Sequence, residues 1–171
     1  MERADGPMTA PSDIEQLLLE LVNRARENPE GEVEALLADP AAGLGAQPNI
    51  TEALDAFAVD LAGLAAQMEG YDPAPPLAWS GALSASAETH SARMIALDEQ
   101  AHEFAGEPGL VDRILAEGYA RPTILAENVF GFTQDAVHAH GAFVIDWGEG
   151  PGGIQDPAGH RETILNPALS E

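Results

Sequence analysis

Three residues of this sequence have side chains that could act together in one chemical site: His102, Glu127 and His160. His160 falls at the start of a predicted helix, which Gly159 opens and Pro167 ends, and a histidine at such a start tends to face outward. His102 and Glu127 each lie among small or apolar neighbours in separate segments. Two imidazoles and a carboxylate from separate elements are typical of a concave polar site.

Such a set of side chains has more than one chemical interpretation. Two neutral imidazoles can bind a divalent cation, and a carboxylate can orient one of them. Because zinc normally takes three or four protein ligands, His102 and His160 alone predict weak binding of a largely hydrated ion. Glu127 could instead be the general base of a hydrolase, with a cation or a histidine as the electrophile. A buried histidine–glutamate network that ties loops to a sheet is the third interpretation, and the residues leave all three open.

A glycine-rich segment, Gly148 to Gly153, precedes the His160 helix and should be a flexible loop rather than a helix. Three acidic residues, Asp146, Glu149 and Asp156, surround it. Their carboxylates suggest calcium as an alternative to zinc, although their spacing does not match an EF-hand loop.

The elements that must position these residues are predicted to be mainly helical. Ser12 and Glu15 form a capping-box pattern that begins a helix reaching about Glu27. Another helix should begin after an N-cap at Ser80, and His102 should lie in the loop that follows this helix. Apolar spacing and stop signals predict further helices over residues 31–38, 49–68, 109–117 and 135–147, a loop over 41–48 and a strand over 122–131.

The other three histidines are weaker candidates for the site. His90 lies on a helix face of small residues, where a packed histidine with satisfied hydrogen bonds is the expected arrangement. His138 and His140 are two positions apart, so on a helix they point to different faces and cannot chelate one ion together.

The composition limits the classes of partner. The chain of 171 residues is 45% apolar, which is enough for one domain with a sizeable core. Its net charge of −22, with Arg as the only basic residue besides histidine, disfavours binding to nucleic acid or to anionic lipid headgroups. There is no Cys, which excludes disulfides and thiolate metal sites. No apolar run approaches the ~20 residues of a membrane span, and Met1 to Gly6 lacks the apolar core of a signal peptide.

The order of the motifs resembles the CAP superfamily in its bacterial SCP-like form, a superfamily of cysteine-rich secretory, antigen 5 and pathogenesis-related proteins. The motifs that carry the resemblance are Leu21 to Arg26, Leu77-Ala78-Trp79, Asp112 to Ile114 with Gly118-Tyr119, Glu127-Asn128, Trp147 and Gly159-His160-Arg161.

The resemblance implies an α+β fold, an α-β-α sandwich around a small antiparallel sheet, rich in helices. The resemblance covers a domain over residues 12–171, from which the chain departs by a helical insertion near 41–68. Residues 1–11, which contain Gly and Pro, should form a disordered segment before it. Since the family's sheet usually continues with strands beyond the second histidine and this chain stops at Glu171, we expect those C-terminal strands to be missing.

Family members often carry two histidines and two acids in a central cleft. By position, His102 matches the first histidine, Glu127 the first acid and His160 the second histidine. Glu149 is the first candidate for the second acid, and Asp146 is the alternative.

The resemblance favours a secreted, extracellular binding or interaction domain with a His/Glu cleft whose ligand is a lipid, a glycan or a protein. A metal-dependent hydrolase that uses the same cleft is the alternative, and a structural module of a longer secreted protein is a further one. Any cofactor would be a weakly bound divalent cation, zinc or calcium.

Overall fold

The computed structural model describes residues 10–131 and 135–171, which form eight helices and one small antiparallel sheet. This arrangement confirms a helix-rich α+β fold with few strands. The two strands are β1, Leu37–Asp39, and β2, Leu44–Gly45. The helices in chain order are α1 Asp13–Glu27, α2 Pro29–Ala35, α3 Pro48–Phe57, α4 Leu61–Met68, α5 Gly81–Leu97, α6 Leu110–Ala116, α7 Ala136–Ile145 and α8 Gly159–Ile164.

Local capping signals place the helix starts where the sequence predicts them. The Ser12 hydroxyl accepts from the backbone of Glu15, and the Glu15 carboxylate accepts from the backbone of Ser12, which completes the predicted capping box. The Ser80 hydroxyl caps α5 by accepting from the backbone N–H of Leu83, and the Asp135 carboxylate caps α7 by accepting from the backbone N–H of Val137.

The single helix predicted over residues 49–68 is wrong, because it breaks between α3 and α4. Ala58 has a left-handed backbone with φ of 50°, which ends α3. Asp60 then begins α4 by accepting from the backbone of Gly63, while its own N–H donates to the Gly152 carbonyl at 2.8 Å. The apolar spacing continues through the break and gives no sign of it. The contact of Asp60 with the glycine-rich segment joins residues that are far apart in the sequence, so no local pattern predicts it.

The strand predicted over residues 122–131 is also wrong, since no strand pairing occurs there. Side chains hold this segment instead. Asn128 donates its side-chain amide to the His160 carbonyl at 3.0 Å, and the Gly131 N–H donates to the Gln100 side chain at 2.6 Å. The two strands that do form lie at residues 37–39 and 44–45. The first replaces the end of the helix predicted over residues 31–38, which stops at Ala35, and the second lies in the stretch predicted as a loop.

The glycine-rich segment, predicted as a loop, forms a tight turn. Trp147 and Ile154 form an antiparallel bridge, and the Gly148 N–H donates to the Gly153 carbonyl at 3.0 Å. Gly153 has φ of 70°, and a Cβ atom there would meet the Phe57 carbonyl oxygen at 2.2 Å. Glycine is therefore needed both for the backbone conformation and for the approach to the end of α3.

The hydrophobic core lies where α7 contacts α1, α3 and α8, with α2 and α4 closing it. Many of its buried apolar side chains come from α3, α4, α7 and the end of α8. They include Ile50, Leu54, Leu64, Met68, Val144, Ile145, Ile164 and Leu165.

Arg26 ties the end of the chain to α1. Its guanidinium is fully buried and donates to the carbonyl oxygens of Pro75, Ile164, Asn166 and Leu169 at 2.6 to 3.0 Å. A guanidinium carries five N–H donors, so it can satisfy several unpaired carbonyls at once. This contact fixes α8, and therefore His160, relative to α1.

Candidate functional site

His160 is held by a buried carboxylate, that of Asp146. The His160 Nδ1 atom lies 2.7 Å from Asp146 Oδ1, and the His160 backbone N–H donates to Asp146 Oδ2 at 2.9 Å. Asp146 is fully buried, whereas the imidazole is 25% exposed and stacks on the Phe143 ring. The carboxylate therefore fixes the ring orientation and directs Nε2 away from itself.

Asp146 reaches this position because it ends α7 in a left-handed conformation. Its φ of 57° turns the chain out of the helix, a conformation that aspartate tolerates better than most residues. Its carbonyl accepts from the Gln155 N–H at 2.7 Å, which closes the Trp147–Ile154 turn. The end of α7, the turn and the start of α8 thus meet at one carboxylate.

His102 makes a second pair of the same kind, with Glu127. The His102 Nδ1 atom lies 2.9 Å from Glu127 Oε1, and Arg113 donates to Glu127 Oε2 at 2.6 Å. Here the histidine is 57% exposed and the carboxylate is 16% exposed. Both oxygens of Glu127 are engaged, so Arg113 on α6 orients the carboxylate that orients His102.

A buried cluster supports Arg113 from behind. Arg113 also contacts Glu107 at 3.4 Å, and Glu107 Oε1 lies 2.9 Å from His90 Nδ1. Burial by itself raises the pKa of Glu107, but the hydrogen bond from His90 and the charge of Arg113 outweigh it and lower that pKa below its ordinary value. His90 is buried with both ring nitrogens hydrogen-bonded, the second to the Ala101 carbonyl, as a packed, satisfied histidine should be.

The structure thus gives each sequence candidate a definite position. His102 lies with Glu127, and His160 lies with Asp146, the alternative second acid. Glu149 is exposed on the turn that follows Trp147. The segments of the two pairs are joined through Asn128, the neighbour of Glu127, which donates to the His160 carbonyl. A functional role for His102, Glu127, Glu149 and His160 stays a prediction.

A pocket of about 490 Å³ opens beside His160. Aromatic rings form part of its walls. His138 stacks on Trp147 with ring centroids 5.6 Å apart, and Phe130 makes edge-to-face contacts with His138 and Phe143 at centroid distances of 5.4 and 6.2 Å. Apolar and aromatic walls with a few polar groups are typical of small-molecule sites. The aromatic residues that line the pocket are Phe57, Phe130, His138, Phe143 and Trp147.

Sequence reasoning did not assign His138 to this pocket or His140 to a site of its own. Burial lowers the pKa of His138, against the opposing charges of Asp135 and Glu52. His140 is fully buried on the other side of α7, where its Nε2 lies 2.8 Å from Glu32 Oε1. The two-residue spacing correctly placed the rings on different faces, but only the packing of α7 shows what each ring meets.

The donor set does not fit a three-ligand zinc centre. The described residues contain no group of three or more histidine, aspartate or glutamate side chains arranged to hold a metal. The two imidazoles with a carboxylate on Nδ1 do have the orientation that metal-binding histidines need. Weak zinc or calcium binding therefore stays a prediction, and no chemical step is assigned to a metal.

The chain matches the model of the cysteine-rich secretory protein family, CAP, over residues 19–171. It therefore belongs to the CAP family, which confirms the resemblance found in the sequence motifs. No curated protein and no solved structure gave a significant match. Among the described residues, no helix is both long and apolar enough to cross a lipid bilayer.

Proposed function

We propose that this CAP domain is an extracellular binding module whose ligand occupies the pocket beside His160. The observation that carries the proposal is the combination of an aromatic pocket of about 490 Å³ with an imidazole held at its edge by a buried carboxylate. Pockets of this volume accept small molecules or one end of a larger lipid, glycan or protein ligand. The secretory character named in the family's description supports the extracellular location.

The rigidity of the site supports binding without a large rearrangement. Asp146 accepts from both the ring and the backbone of His160, and Arg161 in the same helix is buried and donates to the Val144 carbonyl at 3.3 Å. A binding group that is already held in place loses little conformational freedom when a ligand arrives. The Nε2 atom of His160 is therefore suited to form one oriented hydrogen bond with a ligand at the pocket edge.

A weakly bound divalent cation, zinc or calcium, is a second candidate ligand at the histidine pairs. The carboxylate contacts at Nδ1 of His102 and His160 favour this cation, because they leave Nε2 of each ring to act as a metal ligand. Two imidazoles give only low affinity, so this ion would exchange rapidly with solvent.

The two tryptophans provide a direct test of ligand binding. Trp147 lines the pocket, and Trp79 does not. In an NMR screen of small soluble fragments against the ¹⁵N-labelled protein, we expect ligands to shift the indole N–H signal of Trp147 and to leave that of Trp79 in place. A screen in which no fragment moves Trp147, or in which both signals move together, contradicts the pocket as a binding site.

A further inference from the structure

We infer that the pocket beside His160 selects a small organic cation, of the quaternary or tertiary ammonium class, over neutral and anionic ligands. This inference rests on the proposed function and adds the chemical class of the ligand. It follows from the rings that line the pocket and from the charges around them.

The pocket presents several aromatic rings toward one space. Phe130 meets His138 at an interplanar angle of 80° and Phe143 at 70°, so these rings form walls in different directions. Trp147 stacks on the His138 ring at an interplanar angle of 29°, so these two rings together form one further wall. Aromatic rings arranged around a space attract a cation to their open faces.

His138 acts as a neutral ring in this arrangement. Burial is the main influence on its pKa and lowers it, so the ring is uncharged at neutral pH. A protonated imidazole at the same place would repel a cation. The neutral ring instead extends the aromatic surface that Trp147 begins.

The polar groups of the pocket also suit a cation. Glu52 lines it, and its charge acts on His138 together with that of Asp135. None of the described residues that line the pocket is Arg or Lys. The amide side chains of Asn49, Gln100 and Gln155 add carbonyl oxygens that can accept from an alkylammonium group or its hydroxyl.

The charge of the whole chain acts in the same direction. A net charge of −22 raises the local concentration of cations and repels phosphates and carboxylates. A free ammonium compound therefore fits better than a zwitterionic lipid headgroup, whose phosphate would approach Glu52. The pocket volume of about 490 Å³ accommodates such a compound with room for a substituent.

The test compares choline with its neutral carbon isostere, in which a tert-butyl group replaces the trimethylammonium group. Both are titrated against the ¹⁵N-labelled protein at low salt, with the Trp147 indole signal as the readout and Trp79 as the internal reference. We expect choline to bind about tenfold more tightly than the isostere, since cation–π and carboxylate attraction act on choline alone. Phosphatidylcholine vesicles form a third arm that distinguishes a free cation from a lipid headgroup.

Two matched variants test the charge. Glu52→Gln should weaken choline binding by about three- to tenfold and leave binding of the isostere unchanged. Asp55→Asn removes the same charge from the same helix, but Asp55 does not line the pocket, so this control should change choline affinity by less than about twofold. Both residues are exposed, so both variants should fold.

The outcomes separate the two proposals. Equal affinities for choline and the isostere overturn the cation inference and leave the binding pocket intact. No response to choline, in a protein whose Trp147 signal moves with other fragments, overturns the cation inference alone. No response of Trp147 to choline or to any fragment overturns both. Binding to vesicles but not to free choline also contradicts the inference as stated.

Discussion

The His160–Asp146 and His102–Glu127 pairs have the same chemistry and different surroundings. Each places a carboxylate oxygen within 2.9 Å of Nδ1 of the imidazole. The Asp146 carboxylate is fully buried and also caps backbone N–H groups of α8, whereas Glu127 is partly exposed and relies on Arg113. His102 is more than half exposed, and His160 is mostly covered.

This difference indicates that the His160–Asp146 pair is anchored in the protein interior, whereas the His102–Glu127 pair lies at the surface. Removal of a buried acceptor leaves N–H groups without partners, which costs far more than the loss of an exposed ion pair. The Asp146 pair should therefore determine stability as well as site geometry. Loss of the exposed His102 should affect stability little, whereas loss of Glu127 also removes a partner of the buried Arg113 and should have an intermediate effect.

The largest expected effect is that of Asp146→Ala. It removes the acceptor of the His160 ring and backbone, and it puts alanine at a left-handed position, so the free energy of unfolding should fall by about 3–5 kcal/mol. Urea denaturation measures this loss. Asp146→Asn keeps an oxygen acceptor and a side chain that tolerates the left-handed backbone, so it should lose less than half as much. A smaller loss in Asp146→Ala than in Glu127→Ala would reverse the comparison.

The His140–Glu32 pair extends the comparison to complete burial. Burial alone would raise the pKa of Glu32, but hydrogen bonds from Arg24 and His140 outweigh it and lower that pKa below 4.5. A lowered folded pKa gives stability that is complete above the unfolded pKa and is lost as the pH falls through the folded value.

Glu32→Gln should therefore lower the free energy of unfolding by about 2–3 kcal/mol at pH 7 and flatten its decline below about pH 4.5. Chemical denaturation at a series of pH values checks both effects. Glu34→Gln, at an exposed position of the same helix, is the control and should leave the profile unchanged. An equally steep acid decline in Glu32→Gln and the natural sequence would show that this carboxylate is not the group that titrates.

Alanine substitution of the two site histidines compares the pairs directly. His160→Ala removes a ring that stacks on Phe143 and leaves a buried Asp146 oxygen without its donor, so we expect a loss of about 1.5–2 kcal/mol. His102→Ala removes an exposed ring and should cost less than about 0.5 kcal/mol. Thermal unfolding of both variants under one set of conditions tests the ranking, and equal losses would mean that exposure does not distinguish the pairs.

The smallest effect is that of a divalent ion. Equimolar zinc should leave the melting temperature unchanged, and millimolar zinc should raise it by about 2–4 °C, because a weak ligand stabilises the folded state only in large excess over its dissociation constant. The double variant His102→Ala, His160→Ala should lose this increase. Nanomolar zinc affinity by calorimetry would point to a third ligand and refute the weak site.

Much of the fold was predictable from neighbouring residues. The capping box at Ser12 and Glu15 and the cap at Ser80 depend on hydrogen bonds over three or four positions, which any chain with these residues can form. The motifs around Glu127 and Gly159 that indicated the CAP family are also local, because each is a short run of neighbouring residues. Local rules failed for the helix over residues 49–68, where apolar spacing gives no sign of the break at Ala58.

The sequence by itself determined the starts of α1, α5 and α7, the family and the three candidate residues His102, Glu127 and His160, because these depend on residue type and on short spacings. Only the tertiary structure decided that Asp146 rather than Glu149 meets His160, since that contact requires the end of α7 and the start of α8 to come together. It also decided that His138 and Trp147 share a pocket. Contacts of this kind arise from packing between distant segments, and no periodicity within one segment encodes them.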